Sequence, residues 1–223
     1  MDSVFFTGFN EDLHDLTRWK TFYQREQQRS SELSDEVPPL PSIDGERLFN
    51  EMMLASSAPD PWMFPALKAL AASENYIIAA LSNTVIFPPG HPLYVRDYSN
   101  DPLRRLFDVF VSSAHVGIRK PDPKMYQLAL DKINEFATKQ TKEQRTRKLC
   151  GGEVVEAGDI LFLDDIGENL KAARQHGFRT LKVPLGKAYE AVEELEKITG
   201  LAIAGNHPKA PLTLGNRTPM AKI

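Results

Sequence analysis

The sequence predicts an α/β protein built on a parallel, doubly wound sheet, with a small helical module alongside. Three short apolar runs, Tyr76 to Leu81, Ile160 to Leu163 and Thr180 to Val183, have the length of strands buried on both faces. The second and third lead into amphipathic helical patterns, and a strand-then-helix order implies parallel pairing through crossover connections. The first two stop abruptly at polar residues, Ser82-Asn83-Thr84 and Asp164-Asp165. Polar side chains therefore collect at strand carboxyl ends, where open α/β sheets bind ligands.

Composition narrows the classes of function. The chain has 223 residues, 42% of them hydrophobic and 26% charged, enough for a core and a smaller accessory module. Its formal net charge of -3 gives no global attraction to nucleic acid or to an anionic membrane, so no nucleic-acid partner is expected and phosphate binding must be local. Cys150 is the only cysteine, which excludes a disulfide framework and a thiolate metal cluster. No apolar run has the length of a membrane span, and the opening Met-Asp-Ser-Val-Phe-Phe carries an acid where a secretory signal needs positive charge. A soluble intracellular protein is the expectation.

Along the chain, residues 1–15 read as a stub in which Val4 to Phe6 is broken at once by Thr7 and Gly8. From Leu16 to Ser30, Trp19, Phe22 and Tyr23 recur at helical spacing among charged residues, an aromatic stripe of the kind that packs into a core. Pro38, Pro39 and Pro41 mark a loop, followed by helices over Glu46 to Ala55 and Trp62 to Ala72, the latter opened by Asp60-Pro61. Residues 16–73 are thus predicted to form the helical module. Residues 74–203 form the α/β core. Within it, Val85 to Asp101 is loop, Pro102 to Phe107 a helix, Val109 to Ser112 a strand, and Met125 to Phe136 a helix. Pro121 and Pro123 stiffen the backbone around Lys120 and so position that lysine better than a free helix face would. The basic stretch Lys139 to Lys148 reads as an exposed loop, with a basic docking site as the alternative. Lys187 to Thr199 is an amphipathic helix ended by Gly200. Residues 204–223, rich in Pro and Gly, read as a disordered tail.

Two adjacent carboxylates repel unless a cation sits beside them, and an oxygen-liganded Mg²⁺ is the obvious candidate at Asp164 and Asp165. The bland alternative is a solvated Asp-Asp turn capping a helix. Ser82-Asn83, Lys120, and Asp164-Asp165 with Asn169 one turn on are together more specific than any one alone. A hydroxyl and an amide can donate to a phosphoryl oxygen, and a lysine can neutralise developing charge. A carboxylate can hold the bridging metal. In order and spacing, Leu81-Ser-Asn-Thr84, Val116-Gly-Ile-Arg-Lys-Pro-Asp-Pro-Lys-Met-Tyr126 and Leu161-Phe-Leu-Asp-Asp-Ile-Gly-Glu-Asn-Leu-Lys171 resemble motifs II, III and IV of the haloacid dehalogenase superfamily. Within it, the chain is most similar to the amino-terminal phosphatase-like domain of soluble epoxide hydrolase and its relatives fused to acyl-CoA dehydrogenases. Leu195-Glu-Lys-Ile-Thr-Gly200 extends the likeness, which runs from about residue 19 to 203.

The resemblance implies a Rossmann-like core with a helical cap inserted after the first strand, and Mg²⁺-dependent hydrolysis of small-molecule or lipid phosphomonoesters through an aspartyl-phosphate. Carried over by position, Ser82 and Asn83 are the phosphate binders. Lys120 is the charge neutraliser, Asp165 the direct Mg²⁺ ligand, and Asp164 and Asn169 its polar surroundings. One motif is missing. Motif I, a strand ending in Asp-x-Asp or Asp-x-x-Gly, supplies the nucleophile and belongs in the centre of the sheet; Asp12 and Asp15 follow no strand. The expectation is a sheet lacking its first strand and an impaired catalyst. Either the front of the chain is truncated, which the intact remainder favours, or the protein is a phosphate-binding or partner-binding pseudoenzyme. A third option has Val4 to Phe6 filling the gap. Finally, Ala221-Lys222-Ile223 resembles the small-basic-aliphatic peroxisomal signal, so the import receptor is an expected partner and peroxisome stands beside cytosol as the location.

Overall fold

The computed structural model describes residues 11–29, 33–56, 58–87, 89–91, 94–95, 100–140 and 154–212. Val4 to Phe6, residues 141–148 of the basic stretch, Cys150 and Ala221-Lys222-Ile223 lie outside them. The chain divides into two compact units, one of residues 1–58 and 87–93, the other of residues 59–86 and 94–223.

The first unit carries helices α1 (Leu16–Gln27) and α2 (Gly45–Ala55). Each starts at an aspartate. Asp15 accepts from the N–H groups of Thr17 and Arg18, and Asp44 from that of Arg47, satisfying donors that a first turn leaves open. The aromatic stripe of α1 divides. Tyr23 is buried and donates to the Ser34 carbonyl, and Trp19 Nε1 donates to the Pro38 carbonyl at 2.9 Å, whereas Phe22 is exposed. Phe49 of α2 packs on Phe87 with ring centroids 6.3 Å apart.

The second unit contains α3 (Met63–Ser73), β1 (Ala79–Ser82), β2 (Val109–Ser112), α4 (Ser113–Val116), α5 (Pro123–Thr138), β3 (Leu161–Asp164), α6 (Gly167–Gln175), β4 (Arg179–Lys182) and α7 (Ala188–Thr199). The helical module thus stops at Ala58 rather than at residue 73. The reason is burial: Trp62, Ala66 and Leu70 of the α3 segment share one apolar cluster with Ala188, Val192 and Leu195 of α7. Pro102 to Phe107 gives only a 3-10 turn, Arg104–Leu106, whose first N–H is taken by Asp101. Helix α5 begins two residues before the predicted start because Asp122 caps it and Pro123 fits its first turn.

All described strands pair in parallel, β1 with β2 (Ser82 opposite Ser112) and β3 with β4 (Asp164 opposite Lys182). Among the described residues they make two two-stranded ladders rather than one continuous sheet. The resemblance expects a further strand between β1 and β3, and among the described residues none bridges that break. Apolar packing spans it: Leu81 of β1 contacts the cluster of Tyr126, Phe162, Leu170, Ala173 and Phe178, and Ile78 joins Leu161 and Leu163 on the cluster of α3 and α7.

Residues 205–212, predicted as part of a disordered tail, are instead tied down. The Pro208 carbonyl accepts from Trp62 Nε1 at 3.2 Å, Lys209 pairs with Glu193 at 2.6 Å, and Leu212 N–H donates to the Gly186 carbonyl at 2.8 Å. Proline-rich composition suppresses helix and strand, but these residues still find hydrogen-bond and ion-pair partners elsewhere in the chain. Gly186 adopts φ 70°, and a Cβ there would stand 2.8 Å from the Leu212 carbonyl oxygen. Gly186→Ala is therefore expected to cost about 1–2 kcal/mol for the left-handed conformation, and more for the clash. Denaturant unfolding that matched the parent would show that this closure contributes nothing.

Candidate functional site

The carboxyl ends of β1 and β3 converge on Lys120. Its Nζ lies 2.7 Å from Asp164 Oδ2, and the two side chains are only 11% and 4% exposed. Asp164 Oδ1 accepts from the Ile166 N–H at 2.8 Å and from Asn169 Nδ2 at 3.0 Å, so both carboxylate oxygens are occupied. Burial alone would push this carboxyl up. The hydrogen bonds from Lys120, Ile166 and Asn169 outweigh it and hold Asp164 below the ordinary aspartate value. Strand alternation explains the choice of residue: Phe162 and Asp164 share the buried face of β3, while Asp165, past its end, is exposed.

The six residues predicted from sequence divide into three roles. Lys120, Asp164 and Asn169 form the connected ion-pair and hydrogen-bond group just described. Asn83 stands against the Lys120 backbone: its Oδ1 accepts the Lys120 N–H at 2.9 Å and its Nδ2 donates to the Lys120 carbonyl at 3.1 Å. Ser82, at the end of β1, is half-buried, and Asp165 is exposed with no hydrogen bond or ion pair among the described residues.

For Mg²⁺, expected from the resemblance, this donor set is incomplete. Asp164 is committed to Lys120 and to two N–H donors, which leaves Asp165 as the free carboxylate. Among the described residues no three His, Cys, Asp or Glu side chains converge as a metal cluster. A hard dication that prefers six oxygens is not held by one exposed carboxylate.

Two features were not legible in the sequence. Tyr126, fully buried in α5, donates from its hydroxyl to the Asn169 carbonyl at 2.9 Å and packs edge-on to Phe162 and Phe178. Burial first, and the nearby Asp164 charge second, push its hydroxyl up to about 12. The second is a polar chain beside the β1 terminus: Thr84 Oγ1 and the buried Ser112 Oγ are 2.5 Å apart, and His115 Nδ1 lies 2.8 Å from Ser112. Ser113 Oγ accepts the Thr84 N–H at 2.9 Å. These contacts anchor the loop after β1 to α4. A buried tyrosine in a helical pattern reads as core, and serines 28 and 29 positions after Thr84 give no local signal.

Comparison with known proteins gives relatives that match part of this chain. The chain is 34% identical over 161 residues to acyl-CoA dehydrogenase family member 10 of Mus musculus, covering 72% of this chain and 12% of that protein. It is 34% identical over 101 residues to bifunctional epoxide hydrolase 2 of Sus scrofa, and 33% over 110 residues to the Rattus norvegicus protein, covering 45% and 49% of this chain. It spans 12–15% of the length of these relatives. No protein-family model matches. Among solved structures, a dehalogenase with an intermediate complex aligns at TM-score 0.44 and 20% identity, covering 81% of this chain and 71% of that one. An uncharacterized Corynebacterium glutamicum protein aligns at TM-score 0.41 and 21% identity, covering 62% and 82%.

Proposed function

We propose that this chain, which is related to the haloacid dehalogenase superfamily, is a hydrolase-type domain that binds phosphomonoesters at the carboxyl ends of β1 and β3. The observation that carries the reading is the Lys120 ammonium, held almost out of solvent on Asp164 at the end of β3, while Asn83, just past β1, holds its backbone. A nearly buried, hydrogen-bonded cation at a strand's carboxyl end suits a dianionic phosphoryl group, because charge-assisted hydrogen bonds strengthen as water is excluded. Asp164 pairs with Lys120, Asn169 orients Asp164, and Ser82 offers a donor to a phosphoryl oxygen.

Turnover in the chain as it stands is proposed to be slow. Among the described residues no three His, Cys, Asp or Glu side chains gather to complete a Mg²⁺ site, and Asp165 would supply one metal ligand at most. That same deficit favours the second reading, a phosphate-binding pseudoenzyme. Isothermal titration with inorganic phosphate, paired with an aryl phosphate assay in Mg²⁺, separates the outcomes. Saturable phosphate binding, weakened about 10-fold or more by Ser82→Ala and by Lys120→Gln, with negligible turnover, is the expected result. Brisk hydrolysis abolished by Asp165→Ala would overturn the claim of impairment, and absence of phosphate binding would overturn the reading itself.

A further inference from the structure

We propose that Asn83 is a positioning residue: its carboxamide is a two-point clamp on the Lys120 backbone that fixes where the Lys120 ammonium stands. The inference deepens the phosphate-binding reading of this site and rests on it. It also departs from the role of phosphate ligand that the resemblance implies for Asn83.

Asn83 lies one residue beyond β1, and its side chain engages both backbone groups of a residue 37 positions later. Donor and acceptor roles fix its orientation, oxygen toward the Lys120 N–H and nitrogen toward the Lys120 carbonyl, as one strand residue meets another in a ladder. Local sequence offers Lys120 no substitute. Pro121 has no N–H, the Asp122 N–H is given to the Arg119 carbonyl, and the Asp122 carboxylate accepts from Lys124 at the start of α5. At the far end of the side chain, Nζ is 2.7 Å from Asp164 Oδ2. A four-carbon lysine is ordinarily the most mobile of cations, and here it is fixed at both ends, by β1 through Asn83 and by β3 through Asp164. The clamp therefore sets the ammonium's position before any anion arrives, the arrangement in which electrostatic stabilisation costs least reorganisation. Asn83 is exposed, so burial does not explain its presence.

The test uses the full chain with lysine side chains labelled for NMR, the Lys120 signal being assigned by its loss in Lys120→Gln. In ligand-free Asn83→Ala the Lys120 signal is expected to shift and broaden while those of Lys187 and Lys197 stay put. Inorganic phosphate affinity should fall about 10-fold, and Asn83→Ala/Lys120→Gln should bind no more weakly than Lys120→Gln alone. Asn83→Asp, which keeps the acceptor for the Lys120 N–H and loses the donor, should lie between; it carries the test if Asn83→Ala does not fold. Ser82→Ala should weaken phosphate binding without moving the ligand-free Lys120 signal. An unmoved Lys120 signal in both Asn83 variants overturns the clamp, as do losses of affinity that add. If the parent binds no phosphate, the functional reading fails and the Lys120 signal alone still decides the clamp.

Discussion

Lys120→Met is expected to lower the unfolding free energy by about 3–5 kcal/mol, because it strands the Asp164 carboxylate in a nearly dry site. The paired side chains are 11% and 4% exposed, so solvent cannot take over the role of the ammonium as it does at a surface ion pair. Two companion measurements distinguish this from loss of side-chain packing. In Lys120→Met/Asp164→Leu, replacing both charges with apolar groups should recover most of the stability, yet phosphate binding should stay weakened about 10-fold or more. The pH dependence has a definite sign. Asp164 is held below its ordinary value in the parent, so its stabilising contribution is present above about pH 4 and disappears as pH falls through the folded value. In Lys120→Met only the hydrogen bonds from Ile166 and Asn169 still oppose burial, so that carboxyl rises relative to the parent and the deficit should shrink as the solution is acidified. A deficit that stays constant from neutral pH into the acid range would refute the ion-pair account.

Tyr126→Ala should be similarly costly, about 4 kcal/mol, as truncation of a fully buried aromatic leaves a cavity between Phe162 and Phe178. Tyr126→Phe keeps the ring and removes the hydroxyl donor to the Asn169 carbonyl, for an expected loss of about 1 kcal/mol. The parent should also show one tyrosine titrating near 12, read by ultraviolet absorbance and missing in Tyr126→Phe. Because the folded value lies above the ordinary 10, this contribution to stability is complete below about pH 10 and lost between about 10 and 12. A parent in which every tyrosine titrates near 10 would place Tyr126 in contact with solvent and remove the basis of both expectations.

Much of the site was legible because its chemistry is local. Apolar runs of four residues ending in Ser82 or in Asp164-Asp165 announce strand ends, and the prolines around Lys120 announce a stiff turn. The helix opening at Asp60-Pro61 was equally readable, since Asp60 satisfies N–H groups within three residues of itself, whereas the cap at Asp122 was missed and the start of α5 was placed two residues late. The tail was misread for a related reason. Composition reports the absence of helix and strand, whereas partners such as Trp62 and Gly186 for residues 208 and 212 lie far away in sequence.

By itself, then, the sequence determined the α/β class, the parallel pairing of strands and the identity of the polar residues at the strand ends, because hydrophobic period and turn chemistry act over a few residues. Tertiary structure decided how those residues divide the work. Asp164 rather than Asp165 is the buried partner of Lys120, 44 positions away, since the register of β3 turns Asp164 inward with Phe162. Asn83 spends its carboxamide on a backbone 37 positions later, and Tyr126 reaches Asn169 across 43. Contacts between residues that far apart depend on how helices and strands pack, and no window of the sequence contains both partners.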